Sequence, residues 1–192
     1  AGSTFKKVYY DDLLERGVSK FVPADDLVVP YSATSLEDAE AIIHVIKISE
    51  NDLRKQQVNG FYRDVELTKP SDVEDKVSKK ERELDGTKKT GKVEDMYTLL
   101  ECHINLDIEG FEDMGQDGEP TGIKLPYIVT IDEGSKEVLS IKRNFEQNDP
   151  KKQKINYFVH FKFLPGLGFY GFGLIHMIGG LSRTATSALR QL

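Results

Sequence analysis

Residues 96–108, MYTLLECHINLDI, decide how the rest of the chain is read. From Cys102 onward apolar and polar residues alternate, with Cys102, Ile104, Leu106 and Ile108 on one side and His103, Asn105 and Asp107 on the other. Successive side chains of a strand point to opposite faces, so the pattern predicts a strand whose Cys102 face is buried. Downstream, 127–131 and 137–141 are short apolar runs flanking residues 132–136, DEGSK, a hairpin connection in which glycine supplies the positive φ. A polar loop, 147–154, leads to residues 155–164, INYFVHFKFL, again alternating and rich in aromatics. Together these predict a four-stranded antiparallel meander over 96–164 with one buried face.

Working outward toward the start, residues 41–48, AIIHVIKI, are rich in β-branched residues and predict another strand. Ser49 followed by Asp52 is a variant of the capping box that opens a helix, and Gly60 stands where a helix closes. Residues 1–30 hold short apolar groups broken by charges and by Pro23 and Pro30, read as a partial helix and one or two short strands. Ala1, Gly2 and Ser3 read as a cloning remnant. Residues 4–69 then form a strand and helix segment. Residues 70–95 carry 15 charges in 26 positions, seven basic and eight acidic, with little to bury. That composition predicts a charged, flexible, solvent-facing insertion.

Toward the other end, residues 163–182, FLPGLGFYGFGLIHMIGGLS, run without a formal charge and hold six glycines and a proline. The segment is too broken to span a membrane and too apolar to lie in water, so a covering surface is expected. Within it begins a helical stripe: Leu174, Ile178, Leu181, Ala185, Ala188 and Leu192 recur at spacings of 4 and 3. Gly179 and Gly180 lie inside, each costing about 1 kcal/mol relative to Ala. A helix this weak needs tertiary or intersubunit packing, and its small neighbours Gly180, Thr184 and Ser187 let another backbone approach. The fold class is thus α+β: an antiparallel meander with short flanking helices, a Gly-aromatic connector and C-terminal helix over 165–192, and a charged insertion. The last residues, SALRQL, stop inside the helical pattern, which reads as one domain of a larger subunit.

Composition narrows the function classes. The 192 residues carry a net charge of −6, which argues against a general nucleic-acid coat or a binder of anionic membranes. One cysteine, Cys102, excludes an internal disulfide framework; on the apolar side of its strand it reads as an inert core thiol. Gly166, Gly168 and Gly171 match GxGxxG, but position 191 is Gln where a dinucleotide site needs an acidic residue. Gly86, Gly91 and Lys92 match P-loop spacing, but Val93 replaces the hydroxyl that would hold Mg²⁺. Asp113, Asp117 and Glu119 read as an acidic turn rather than a cation site. His103 and His160 lie on strands read as neighbours, where a cross-strand metal pair is the less favoured reading beside ordinary histidines. No catalytic set, cofactor or metal is expected.

The run 157–192, YFVHFKFLPGLGFYGFGLIHMIGGLSRTATSALRQL, resembles portal proteins, the head-to-tail connectors of tailed bacteriophages, of the short-tailed type. In that family a strand ending near a proline leads into an aromatic-glycine turn, here Phe169, Tyr170 and Gly171, then a helix rich in small residues. Upstream, Leu27, Val28, Val29 and Pro30, then Leu36, Glu37, Asp38, Ala39 and Glu40 before the AIIHVIKIS strand, are similar to the family's short strand, acidic turn and His-containing strand. The likeness covers most of 27–192; the charged insertion at 70–95 departs from it. It implies a non-enzymatic structural subunit in the virion, assembled as a ring, most often of twelve, with no membrane. The ring passes double-stranded DNA pumped by the terminase large subunit and holds tail or adaptor proteins. Phe169, Tyr170, Phe172, Leu174, Ile178 and Leu181 become the expected subunit interface, with Arg183 and Arg190 as expected DNA contacts. A protein-binding module of another assembly and a nucleotide-binding enzyme are the alternatives.

Overall fold

A computed structural model describes residues 2–11, 15–68, 96–115 and 117–191; the insertion expected at 70–95 lies outside the described residues. The chain is α+β; its described residues form two antiparallel sheets, one short helix and a C-terminal helix. It forms two compact units, one of residues 1–42 with 145–192 and one of residues 43–144.

The first unit opens with a hairpin rather than the partial helix expected from residues 1–30. Strand β1 (Ser3–Asp11) pairs with β2 (Arg16–Val22), Phe5 opposite Val22 and Asp11 opposite Arg16. Val8, Tyr9 and Tyr10 suit a pleated surface. Phe5 is fully buried while Lys6, Val8 and Tyr10 stay exposed, a period of two that the intervening lysines disguise. Among the described residues there, helical structure is limited to one 3-10 turn, Ala24–Asp26, before the two-residue strand β3 (Leu27–Val28). Strand β4 (Ala41–Ser49) leads directly into helix α1 (Glu50–Val58). As expected, the Ser49 hydroxyl accepts the Asp52 N–H at 3.2 Å, and Gly60, at φ +73°, closes the helix.

In the second unit β5 (Met96–Leu106), β6 (Leu125–Asp132) and β7 (Val138–Arg143) form the expected meander, with Cys102 opposite Val129 and Val129 opposite Ile141. Its fourth strand does not join them. Strand β8 (Phe158–Lys162) lies in the three-stranded sheet, ordered β2-β1-β8, with His160 opposite Phe5. The five-stranded sheet is ordered β3-β4-β5-β6-β7. The reason is geometric: residues 144–157 are far longer than a tight hairpin connection, and Phe158 buries beside Phe5 and Val22.

Two further expectations are corrected. In the β6–β7 turn the positive φ falls on Lys136 (+62°), not on Gly134. The Asp132 carboxylate organises that turn by accepting the Ser135 N–H and hydroxyl, both at 2.7 Å. On β5, Tyr97, Leu99 and His103 are buried as well as Cys102, so mid-strand both faces are covered. Leu53 of α1 and Tyr62 pack with Tyr97, Leu99 and Leu139 over the face that alternation had assigned to water.

The core of the first unit gathers Phe5, Val22, Leu27, Leu36, Ile42, Phe158 and Phe169. Each large side chain buried in it is worth about 1.5–3 kcal/mol. Asp38 ties down the irregular segment between β3 and β4: its carboxylate accepts the N–H groups of Thr34 and Ser35 at 3.2 and 2.7 Å. Lys154 clamps the same segment from the far end of the chain, donating to the carbonyls of Leu36 and Ala39 at 3.3 and 3.1 Å.

Candidate functional site

The uncharged run leaves β8 and doubles back on itself. Leu164 and Phe172 exchange backbone hydrogen bonds (2.8 and 3.3 Å), closing a loop that holds all three glycines of the GxGxxG pattern. Phe169 turns inward from this loop and is only 7% exposed. It stacks with Phe5 (centroids 5.9 Å) and with His160 (4.9 Å), while Phe5 and His160 lie 4.3 Å apart. Gly171 is needed for a close approach: a Cβ there would sit 2.8 Å from the carbonyl oxygens of both Gly2 and Leu164. Helix α2 (Leu174–Gln191) begins only after Gly173, whose N–H donates to His176 Nδ1 at 3.1 Å. The glycine pattern thus lies in a closed loop rather than at a helix N-terminus, the place where a dinucleotide's phosphates bind.

Gly2 and Ser3, expected as part of a remnant, are built into this loop. Ser3 is buried; its hydroxyl accepts the Gly171 N–H at 2.8 Å and bonds His160 Nε2 at 3.0 Å. The carbonyl of Gly2 accepts the Phe163 N–H at 3.0 Å. Burial, and then the charge of Lys162, hold the His160 imidazole below its ordinary pKa.

Of the six residues expected at an interface, Phe169 belongs to the chain's own core. The other five, Tyr170, Phe172, Leu174, Ile178 and Leu181, are exposed, Leu181 by 73%. The helix buries none of its described residues. Its stripe of Leu174, Ile178, Leu181, Ala185 and Ala188 faces solvent along its length. Arg183 and Arg190 are exposed two turns apart, on one side of the helix and about 10 Å apart along its axis. The exposed apolar surface extends beyond the expected set: Phe163, Leu167 and Ile175 are each more than 60% exposed. Their signal was the absence of charge from 163 to 182, which marks the whole segment and not only its helical stripe.

The second unit holds a buried polar cluster that alternation missed. Glu101 and His103 sit on the covered face of β5, with His103 Nε2 at 2.8 Å from Glu101 Oε1 and His44 Nδ1 at 4.0 Å. Burial, and then the Glu101 carboxylate, raise the Tyr62 hydroxyl to about 12 and push the Cys102 thiol up as well. No group of three metal-ligating side chains occurs among the described residues. His103 and His160 occupy different sheets, so the cross-strand pair does not form. Asp113 accepts the Thr121 hydroxyl at 2.7 Å within the acidic turn.

No family model matches the chain, and no curated protein matches it at a significant level. No described helix is long and apolar enough to cross a membrane.

Proposed function

We propose that the chain is a structural segment of a portal-type ring subunit from a short-tailed phage, and that its exposed connector and α2 are where subunits meet. The observation that carries this reading is the convergence of the two resembling segments. Leu27, Leu36, Ala39 and Ile42 from one, and Phe169 from the other, share a single core although more than 100 residues separate them. The motif residues therefore act together in this fold: Leu36 and Ala39 fill the core, Asp38 holds the turn, and Phe169 anchors the loop. The same anchoring leaves Tyr170, Phe172 and the α2 stripe bare, an apolar patch of the kind that marks an interaction site. On this reading the ring resides in the virion, passes double-stranded DNA delivered by the terminase large subunit, and holds tail or adaptor proteins. It performs no catalysis of its own.

The test is the assembly state of the intact subunit, by negative-stain electron microscopy and by mass from light scattering. Rings of about a dozen copies are the expected result, closed by one repeated contact. A monomer at all concentrations would overturn the reading in favour of a binding module of another assembly.

A further inference from the structure

The chain's charge is divided unevenly. Residues 150–191 contain four lysines and two arginines and no acidic residue, although the whole chain carries −6. Of these charges, Arg183 and Arg190 stand on α2 itself, both exposed, while Lys154 is held by the carbonyls of Leu36 and Ala39. The opposite composition occurs at 107–123, between β5 and β6: six acidic residues and no basic one. That loop is folded by its own hydrogen bonds. Met114 and Pro120 form a bridge, the Thr121 N–H donates to the Asp113 carbonyl at 2.8 Å, and Gly110, Gly118 and Gly122 adopt positive φ. The loop holds Phe111, Met114 and Ile123 out in solvent, each more than half exposed. The first unit therefore displays an apolar surface edged by arginines and the second unit an apolar surface edged by carboxylates, each uncovered within its own unit.

We infer that the connector and α2 of one copy dock on the acidic loop 107–123 of a second copy. The inference rests on the proposal that the chain self-assembles, and it names the two surfaces that meet. An 18-residue helix is about 27 Å long. With the connector beside it, it can supply on the order of the 800 Å² per partner that stable interfaces bury. Apolar residues at the centre with charges around them match the anatomy of such an interface. The two surfaces differ, so the contact is heterologous, the kind that closes into a ring when the rotation allows. Arg183 and Arg190, expected as DNA contacts, serve the acidic loop instead: Leu181 and Leu189 beside them would stay wet against a phosphate backbone.

Charge reversal in the intact subunit tests this, read as the association constant from light scattering at low and high salt. Arg183→Glu with Arg190→Glu, and separately Glu109→Arg with Glu112→Arg, should each weaken association at least tenfold. Mixing the two variants should restore it. A Met114→Cys chain mixed with an Ile178→Cys chain should give a disulfide between copies. If the wild type associates and both reversal variants associate equally well, the docking surfaces lie elsewhere and the ring reading stands. If the wild type is monomeric, both ideas fall. Binding of DNA or of anionic vesicles that is lost on Arg183 and Arg190 reversal, with association unchanged, would replace the second copy with that occupant.

Discussion

Ser3 joins parts of the chain that are far apart in sequence. Its hydroxyl meets residues 157 and 168 positions away, so nothing local in the sequence announces its role. Ser3→Ala leaves the half-buried Gly171 N–H without its partner and should cost about 1–3 kcal/mol, measured by urea unfolding. His160 adds a pH dependence whose sign follows from its lowered pKa. The unfolded state binds the proton more readily, so this contribution is complete above the unfolded value of about 6.5 and declines as pH falls below it. An NMR titration of the His160 ring with a midpoint at or above 6.5 would contradict that. Asp132 presents the opposite case, because its partner is only three residues away and the connection itself was legible in DEGSK. What remained hidden there was the backbone: the capped turn places its left-handed residue at Lys136. Lys136→Gly should therefore stabilise the protein by up to about 1 kcal/mol, since a non-glycine residue in that region is strained.

Among the elements, those with local causes were legible and those whose faces are set by distant packing were not. Helix α1 could be read from Ser49, Asp52 and Gly60, and each residue takes the expected place; Ser49→Ala should lower stability by about 1 kcal/mol. Strand β5 was legible as a strand, but not its faces. Alternation marks which residues share a side; Leu53 of α1 and Tyr62, arriving from elsewhere, pack with Tyr97 and Leu99 on the side that also holds Glu101 and His103. Helix α2 was legible in its period, whereas the covering surface expected for it is not met, since it buries none of its described residues; it provides a two-sided prediction. A Cβ at Gly179 or Gly180 meets no described atom within 4 Å beyond the helix's own neighbouring backbone. Replacing both with Ala should therefore raise the stability of the unassembled chain, by about 1 kcal/mol per site, seen as increased helical circular dichroism. If those glycines exist to admit another copy's backbone, the same variant should assemble less well. Raised helicity with unchanged assembly would show that the small residues are not the contact.

For the whole molecule, the order of segments conceals the division into units. Residues 96–164 read as one continuous sheet because each strand is followed by a plausible next strand. The chain instead returns at β8 to pair with β1, and the first unit is made from its two ends. The long 144–157 connection permits this, and pairing of β1 with β8, with Phe5 against residues more than 150 positions away, decides it; no period or cap reports such a contact. The two cores share no residue: one centres on Phe5, Leu27 and Phe169, the other on Leu99, Tyr97 and Leu139. The second core is drawn from one uninterrupted stretch, so residues 41–144, which keep β4 whole, should fold alone with a sheet-type circular dichroism spectrum and a cooperative transition in urea. Leu99, fully buried in that core, provides the control. Leu99→Ala should lower the fragment's stability by about 2–5 kcal/mol and lower the same transition in the full chain by a similar amount. A fragment that unfolds without cooperativity, or a full chain whose single transition responds equally to Leu99→Ala and Phe5→Ala, would show that the two cores fold as one.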